Sequence, residues 1–205
     1  MSTVSLSVGR PTLADRLLSR GIVSDLILIA SGAALTSILA QVAIPLWPVP
    51  ITGQTLAVLI VGSSLGAVRG ALSMLLYAVL GIAGLPVFSD QAHGIGVVFG
   101  PTGGYIVGFI LAAALTGWLA QRSWDRKILK AFLAFLAGSA VTFAIGLPWL
   151  AITLGLNLEQ TLQAGLYPFI VGGIIKAILA AGFIRLAWFG VQRNDESAKR
   201  DQEAV

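Results

Sequence analysis

The sequence predicts an all-α membrane protein of six transmembrane helices with both termini on the cytoplasmic side. Three observations predict it: the composition, the spacing of long apolar runs, and the one-sided placement of lysine and arginine. Of 205 residues, 57% are hydrophobic and 11% are charged, with a mean hydropathy of +0.90. Soluble domains carry roughly 25% charged residues, because their surfaces must stay wet. The chain has room for roughly six spans of about 20 residues. One membrane domain over 25–189 is therefore expected. It is flanked by a cytoplasmic or interfacial N-terminal segment over 1–24 and a polar cytoplasmic tail over 190–205.

The apolar runs fall at about 25–44, 51–68, 70–86, 104–120, 131–154 and 166–189. Only Arg69 and its neighbours separate the second from the third, so a merged, five-span reading has to be weighed. Lysine and arginine accumulate on the cytoplasmic side of membrane proteins. With six spans, Arg10, Arg16, Arg20, Arg69, Arg122, Arg126, Lys127, Lys130, Arg193, Lys199 and Arg200 share one side. The loops on the other side, around 45–50, 88–103 and 155–163, contain neither. Five spans would send the 122–130 cluster outward, so six spans are preferred. Trp47 and Trp149 then sit near outer ends, and Trp118, Trp124 and Trp188 near inner ends, as interfacial anchors. No short apolar stretch with a small-residue cleavage site precedes the first span, so the N-terminus is expected to be retained inside.

Composition also excludes function classes. Cysteine is absent and His93 is the single histidine, which removes disulfides, thiolate metal sites and histidine-cluster metal centres. No metal and no cofactor are expected. The net charge of +4 is spread through short segments between apolar runs rather than gathered on a polar face, so nucleic acid is not the expected partner. The lipid bilayer is.

Small residues recur every four positions at Gly62, Gly66 and Gly70, and again at Gly104, Gly108 and Ala112, a pattern that lets membrane helices approach closely. The outer loops are unlike simple connectors. Three prolines stiffen Pro45–Pro50 ahead of Thr52 and Gln54, and Phe99–Tyr105 is a glycine-rich turn entering the fourth span. No Gly-Lys-Ser/Thr follows, so it is not a phosphate loop. Each proline or glycine taken singly is a helix terminator; their concentration on one side suggests a lid over an outward-facing cavity.

Lys176 stands out. It lies about eight residues from Pro168 and about twelve from Trp188, on the order of 12–18 Å from either helix end at 1.5 Å per residue. Its stem reaches roughly 6 Å, too short to snorkel easily, and a charge at that depth costs about 2.5–3.5 kcal/mol. No acidic residue falls within the predicted depth of any span. The lysine is therefore neutralised by desolvation, bathed in a watery cavity, paired with an anionic ligand, or held structurally by backbone carbonyls. Gly172 and Gly173 beside it permit close approach of a ligand. Arg185 lies near the inner end and reads as topology, whereas Asp90 and His93 lie in an outer loop where solvation is the default. Proximity to the entrance keeps Asp90 a candidate.

At these residues the chain resembles the BioY family, the biotin-binding S components of energy-coupling-factor (ECF) transporters. The matching motifs are Pro48-Val-Pro-Ile-Thr-Gly-Gln-Thr55, Gly84-Leu-Pro-Val-Phe88, Gly100-Pro-Thr-Gly-Gly-Tyr105 and Pro168-Phe169…Gly172…Lys176. They run in order across nearly the whole chain beyond the N-terminal segment. The resemblance implies a six-helix S-component bundle in a prokaryotic plasma membrane, with biotin held near the outer face. It also implies a membrane coupling subunit and two cytoplasmic ATPase subunits as partners. The Ala-x-x-x-Ala face by which such first spans dock the coupling subunit corresponds to Ala30 and Ala34; ordinary helix packing accounts equally for that spacing. One departure is evident: the family commonly places an aspartate three residues before the last-span lysine, where this chain has Gly173. Recognition of the ureido group then falls to Gln54, Thr52 or Asp90, with Tyr105 as an apolar wall and Lys176 bonding a polar end of the vitamin.

Two rivals remain. One is a solitary carrier for biotin or another small anionic vitamin, working by alternating access. The other is an intramembrane enzyme using Lys176. It lacks a second catalytic group within reach, since no acidic residue, histidine or cysteine falls at membrane depth within a span. A purely structural scaffold would have no reason to keep a charge at that depth.

Overall fold

The computed structural model describes residue 6 and residues 10–203, with side chains as far as residue 193. The elements run α1 (Leu13–Leu17), α2 (Ile22–Ala40), β1 (Ala43–Ile44), β2 (Ile51–Thr52), α3 (Gln54–Leu65) and α4 (Ala67–Ile82). A 3-10 turn at Ser89–Gln91 follows, then α5 (Ile95–Phe99), α6 (Gly103–Ala120), α7 (Ile128–Leu154), α8 (Leu158–Gly165) and α9 (Tyr167–Glu203). Helices α2, α6, α7 and α9 are long and apolar enough to cross a membrane, whereas α3 and α4 are shorter apolar helices. The run expected as a single span over 51–68 is divided: 51–52 pair with β1 and the helix begins only at Gln54.

The break between α3 and α4 falls at Gly66, three residues before the charge that marked it in the sequence. Its φ of +90° is open to glycine and strained for other residues. The reversal brings Gly62 and Gly70 together: a Cβ added to Gly70 would lie 2.9 Å from the Gly62 Cα. The second small-residue stripe does similar work, with Gly104 seated on Trp149 and Gly108 on the Thr142 backbone. Side chains too small to hold helices apart let α3, α4, α6 and α7 form one close-packed group. Outside it, Ile174, Ile175, Ile178, Leu179, Phe183 and Leu186 of α9 are exposed, as a lipid-facing surface requires.

One end of the bundle gathers residues 10–21, the Gly66 turn, loop 121–127 and the part of α9 around Ile184 and Trp188. Leu13 packs with Ile184 and Trp188, and Arg10 donates to the Ser123 hydroxyl at 3.2 Å. Arg69, placed by the sequence among the cytoplasmic-side charges, is only 1% exposed. It bridges Asp15 at 2.9 Å and Asp25 at 2.6 Å, tying α1, α2 and α4 together. Asp25, at the start of the first predicted span, is itself fully buried.

The tryptophans divide. Trp47 (87% exposed) and Trp118 face outward. Trp149 instead donates to the Gly100 carbonyl at 2.9 Å, and buried Trp188 donates to Asp125 at 2.6 Å. An indole N–H that leaves water needs an acceptor, and both of these have one.

Asp125 lies in the loop between α6 and α7, and burial raises its carboxyl from 3.8 to about 6, partly offset by the Trp188 N–H and by Arg126. The folded chain therefore holds this proton more tightly than the unfolded one, and stability falls as pH rises between those two values. Asp125→Asn retains an acceptor for Trp188 and removes the buried charge. It is expected to stabilise the protein at pH 7.5 by roughly 1–3 kcal/mol and to leave it unchanged near pH 3.5, as read by thermal unfolding in detergent. Equal unfolding temperatures at pH 7.5 would contradict this account.

Candidate functional site

At the opposite end, the β1–β2 hairpin, the 83–102 segment and α8 cover the helices. Beneath them lies a cavity of about 280 Å³. Its walls come from β2, the start of α3, the 83–102 segment, α6, α7 and α9, so no single stretch of sequence contains it.

Lys176 reaches this cavity from α9. Its ammonium donates to the Thr52 carbonyl at 2.5 Å and to the Thr55 hydroxyl at 3.0 Å. The partner that sequence reading left unassigned is thus a backbone carbonyl and a hydroxyl, both neutral. An ammonium carries three N–H donors. These two acceptors occupy two of them, and the third is available to the cavity that the residue lines.

The Thr52 side chain turns the other way, donating to Gln54 Oε1 at 2.7 Å. The Gln54 amide in turn makes a short hydrogen bond to the Tyr77 hydroxyl. Thr52 and Gln54 are both buried and both line the cavity. Facing them is an aromatic wall. Tyr105 meets Phe143 edge-on at 6.1 Å, and Phe143 meets Phe169 at 6.0 Å. The Tyr105 hydroxyl donates to the Gly165 carbonyl at 3.0 Å, which leaves the ring rather than the phenol to face a ligand.

Asp90 lines the mouth, is exposed, and sits in the left-handed region at φ 56°. Its segment is secured from both sides. The Gln41 side chain donates to the Phe88 carbonyl at 3.0 Å and accepts from the Gln91 amide at 3.1 Å. Phe88 is buried against Gly81, where a Cβ would come within 2.1 Å of the ring. His93 lies outside the cavity lining.

Gly173 does not line the cavity, and a Cβ built there meets nothing within 4 Å. Ala30 and Ala34 are exposed on α2, none of whose residues lines the cavity, and Ile27, Leu35 and Ile38 are also exposed.

The family model that matches this chain is that of the BioY family, over residues 10–193. The chain belongs to the BioY family. It is 40% identical over 160 residues to the biotin transporter BioY2 of Lactococcus lactis subsp. cremoris, covering 78% of this chain and 87% of that protein. To the biotin transporter BioY of Rhizobium etli it is 36% identical over 167 residues, covering 77% and 89%. A crystal structure of the S-component for biotin from an ECF-type ABC transporter superposes with a TM-score of 0.73 at 29% identity, covering 80% of this chain and 89% of that one. The protein is thus a multi-pass membrane transporter with the S-component fold, rather than an enzyme.

Within this BioY chain, the motif residues converge. Thr52, Gln54 and Thr55 from the first motif, Phe88 from the second, Tyr105 from the third, and Phe169 and Lys176 from the fourth all line one cavity. Thr55, Phe88 and Phe169 were not singled out as site residues although they stand in those motifs. Phe143 and Thr142 also line it. They lie inside an unbroken apolar run, where nothing in the sequence separates a cavity-facing aromatic from a lipid-facing one.

Proposed function

We propose that this chain is the biotin-capturing S component of an ECF-type transporter. The observation that carries the reading is the cavity itself: about 280 Å³, largely apolar and aromatic, with Lys176 as its cation beside Thr52 and Gln54. A small site of this kind suits a ligand with an apolar body and a few polar groups. Tyr105, Phe143 and Phe169 pack against the body of the vitamin. Lys176 bonds an acceptor at one end, and Thr52, Gln54 and Asp90 supply polar contacts, with no counterpart from Gly173.

The cavity faces the outside and both termini are cytoplasmic, in keeping with the lysine and arginine distribution. The exposed α2 face around Ala30 and Ala34 docks a membrane coupling subunit, and two ATPase subunits energise uptake. Calorimetry on purified protein provides the test. Biotin is expected to bind with one site, and thiamine and riboflavin not to bind. Binding of another vitamin in place of biotin would sink the assignment. Biotin uptake by this chain alone in a host lacking coupling subunits would favour the solitary carrier instead.

A further inference from the structure

Tyr77 does not line the cavity, yet it touches two of its walls. Fully buried in α4, it accepts a hydrogen bond from the Gln54 amide through its hydroxyl. Its ring meets Phe88 edge-on at a centroid distance of 5.4 Å and an interplanar angle of 81°. Gln54 belongs to the polar wall, held by Thr52, whose own carbonyl accepts from Lys176. Phe88 belongs to the segment over the mouth, two residues from Asp90, and is clamped by Gly81 and Gln41. One side chain thus contacts both the polar floor and the anchor of the cover.

We infer that Tyr77 is a positioning residue that couples ligand binding at the polar wall to closure of the 83–102 segment. This inference rests on the biotin-binding reading above. The physical reason lies in the rigidity of the connection. A buried hydroxyl and amide have no water to fall back on, so a rotation of Gln54 towards a ligand must move or strain the phenol. The phenol cannot shift without disturbing the packed Phe88 ring, because close-packed interiors transmit small displacements. Ligand contacts made by Gln54 and by the cover therefore reinforce one another.

The two functions of Tyr77 are separable by mutation. Tyr77→Phe keeps the ring against Phe88 and removes the hold on Gln54. Biotin affinity is expected to fall about tenfold, and the unfolding temperature falls with it, because the buried Gln54 amide loses its acceptor. In a double-mutant cycle, Tyr77→Phe is expected to cost little once Gln54→Ala is present, since the interaction is already gone. Hydrogen exchange over residues 87–92 supplies a readout that a merely structural tyrosine would not move. Saturating biotin slows exchange there in the wild type, and markedly less so in Tyr77→Phe at equal occupancy. Unchanged affinity and protection in Tyr77→Phe, or additive effects in the cycle, overturn the inference. A wild-type protein that fails to bind biotin removes the functional reading together with it; a wild type that binds, with Tyr77→Phe indistinguishable from it, removes this inference alone.

Discussion

Replacing Lys176 with methionine is expected to weaken biotin binding at least about tenfold, and by about a hundredfold if the lysine meets a charged or strongly polar group of the ligand. Methionine has nearly the same length and fills the same volume, so packing in the outer half of α9 changes little. What it loses is the donor set. The Thr52 carbonyl and the Thr55 hydroxyl lose their partner, and the cavity loses its cation. A second variant separates these contributions. Thr55→Val removes one structural acceptor and leaves the ammonium in place, so its effect is expected to be several-fold smaller. If Lys176→Met binds biotin as tightly as the wild type, the lysine is a structural tie between α9 and β2. If Thr55→Val is as damaging as Lys176→Met, the effect is carried by the Thr55 hydroxyl, which ties the lysine to the start of α3 and itself lines the cavity, rather than by the ammonium alone. Isothermal calorimetry on both variants reads the difference directly.

The second large effect is expected at the other end of the bundle. Arg69→Met removes the buried cation that bridges Asp15 and Asp25, leaving Asp15 its 3.4 Å pairing with exposed Arg20 and Asp25 its bond from the Leu6 amide. Breaking a buried pair by deleting one partner costs about 3–5 kcal/mol, mostly the penalty of stranding the remaining charge. A marked drop in unfolding temperature in detergent is therefore expected, with biotin affinity of the folded fraction preserved because the triad lies across the bundle from the cavity. Replacing the whole triad, with Asp15→Asn and Asp25→Asn added to Arg69→Met, is expected to restore part of the loss. No change in unfolding temperature for Arg69→Met alone would show that the triad is solvated and contributes little.

These two sites were legible to different degrees. Lys176 was visible as a problem: a charge too deep to snorkel and without an acid in reach. Its solution was not, because the partner is a backbone carbonyl 124 residues earlier, and a carbonyl has no signature in the amino-acid alphabet. Arg69 was visible only as a topology mark. Its partner Asp15 lies 54 residues away in a segment read as cytoplasmic or interfacial, so nothing in the local pattern announced a buried triad. Tyr77 was invisible altogether, since one tyrosine in an apolar helix is indistinguishable from core.

Membrane character, the order of the apolar helices and the side on which charges collect follow from the chain alone, because lipid penalises every exposed polar group and thereby writes a length and a polarity into each span. The motif residues and the depth of Lys176 were likewise present in the linear order. Folding chose among the residues within each span: which of Thr142, Phe143 and their neighbours face the cavity, and that α3 begins at Gln54 rather than at Ile51. It also decided that Trp149 and Trp188 turn inward to acceptors while Trp47 stays outside. The reason is that an apolar run in a membrane helix has two equally apolar sides, lipid and protein, so hydropathy cannot orient it. Close packing and the need of each buried donor for an acceptor can.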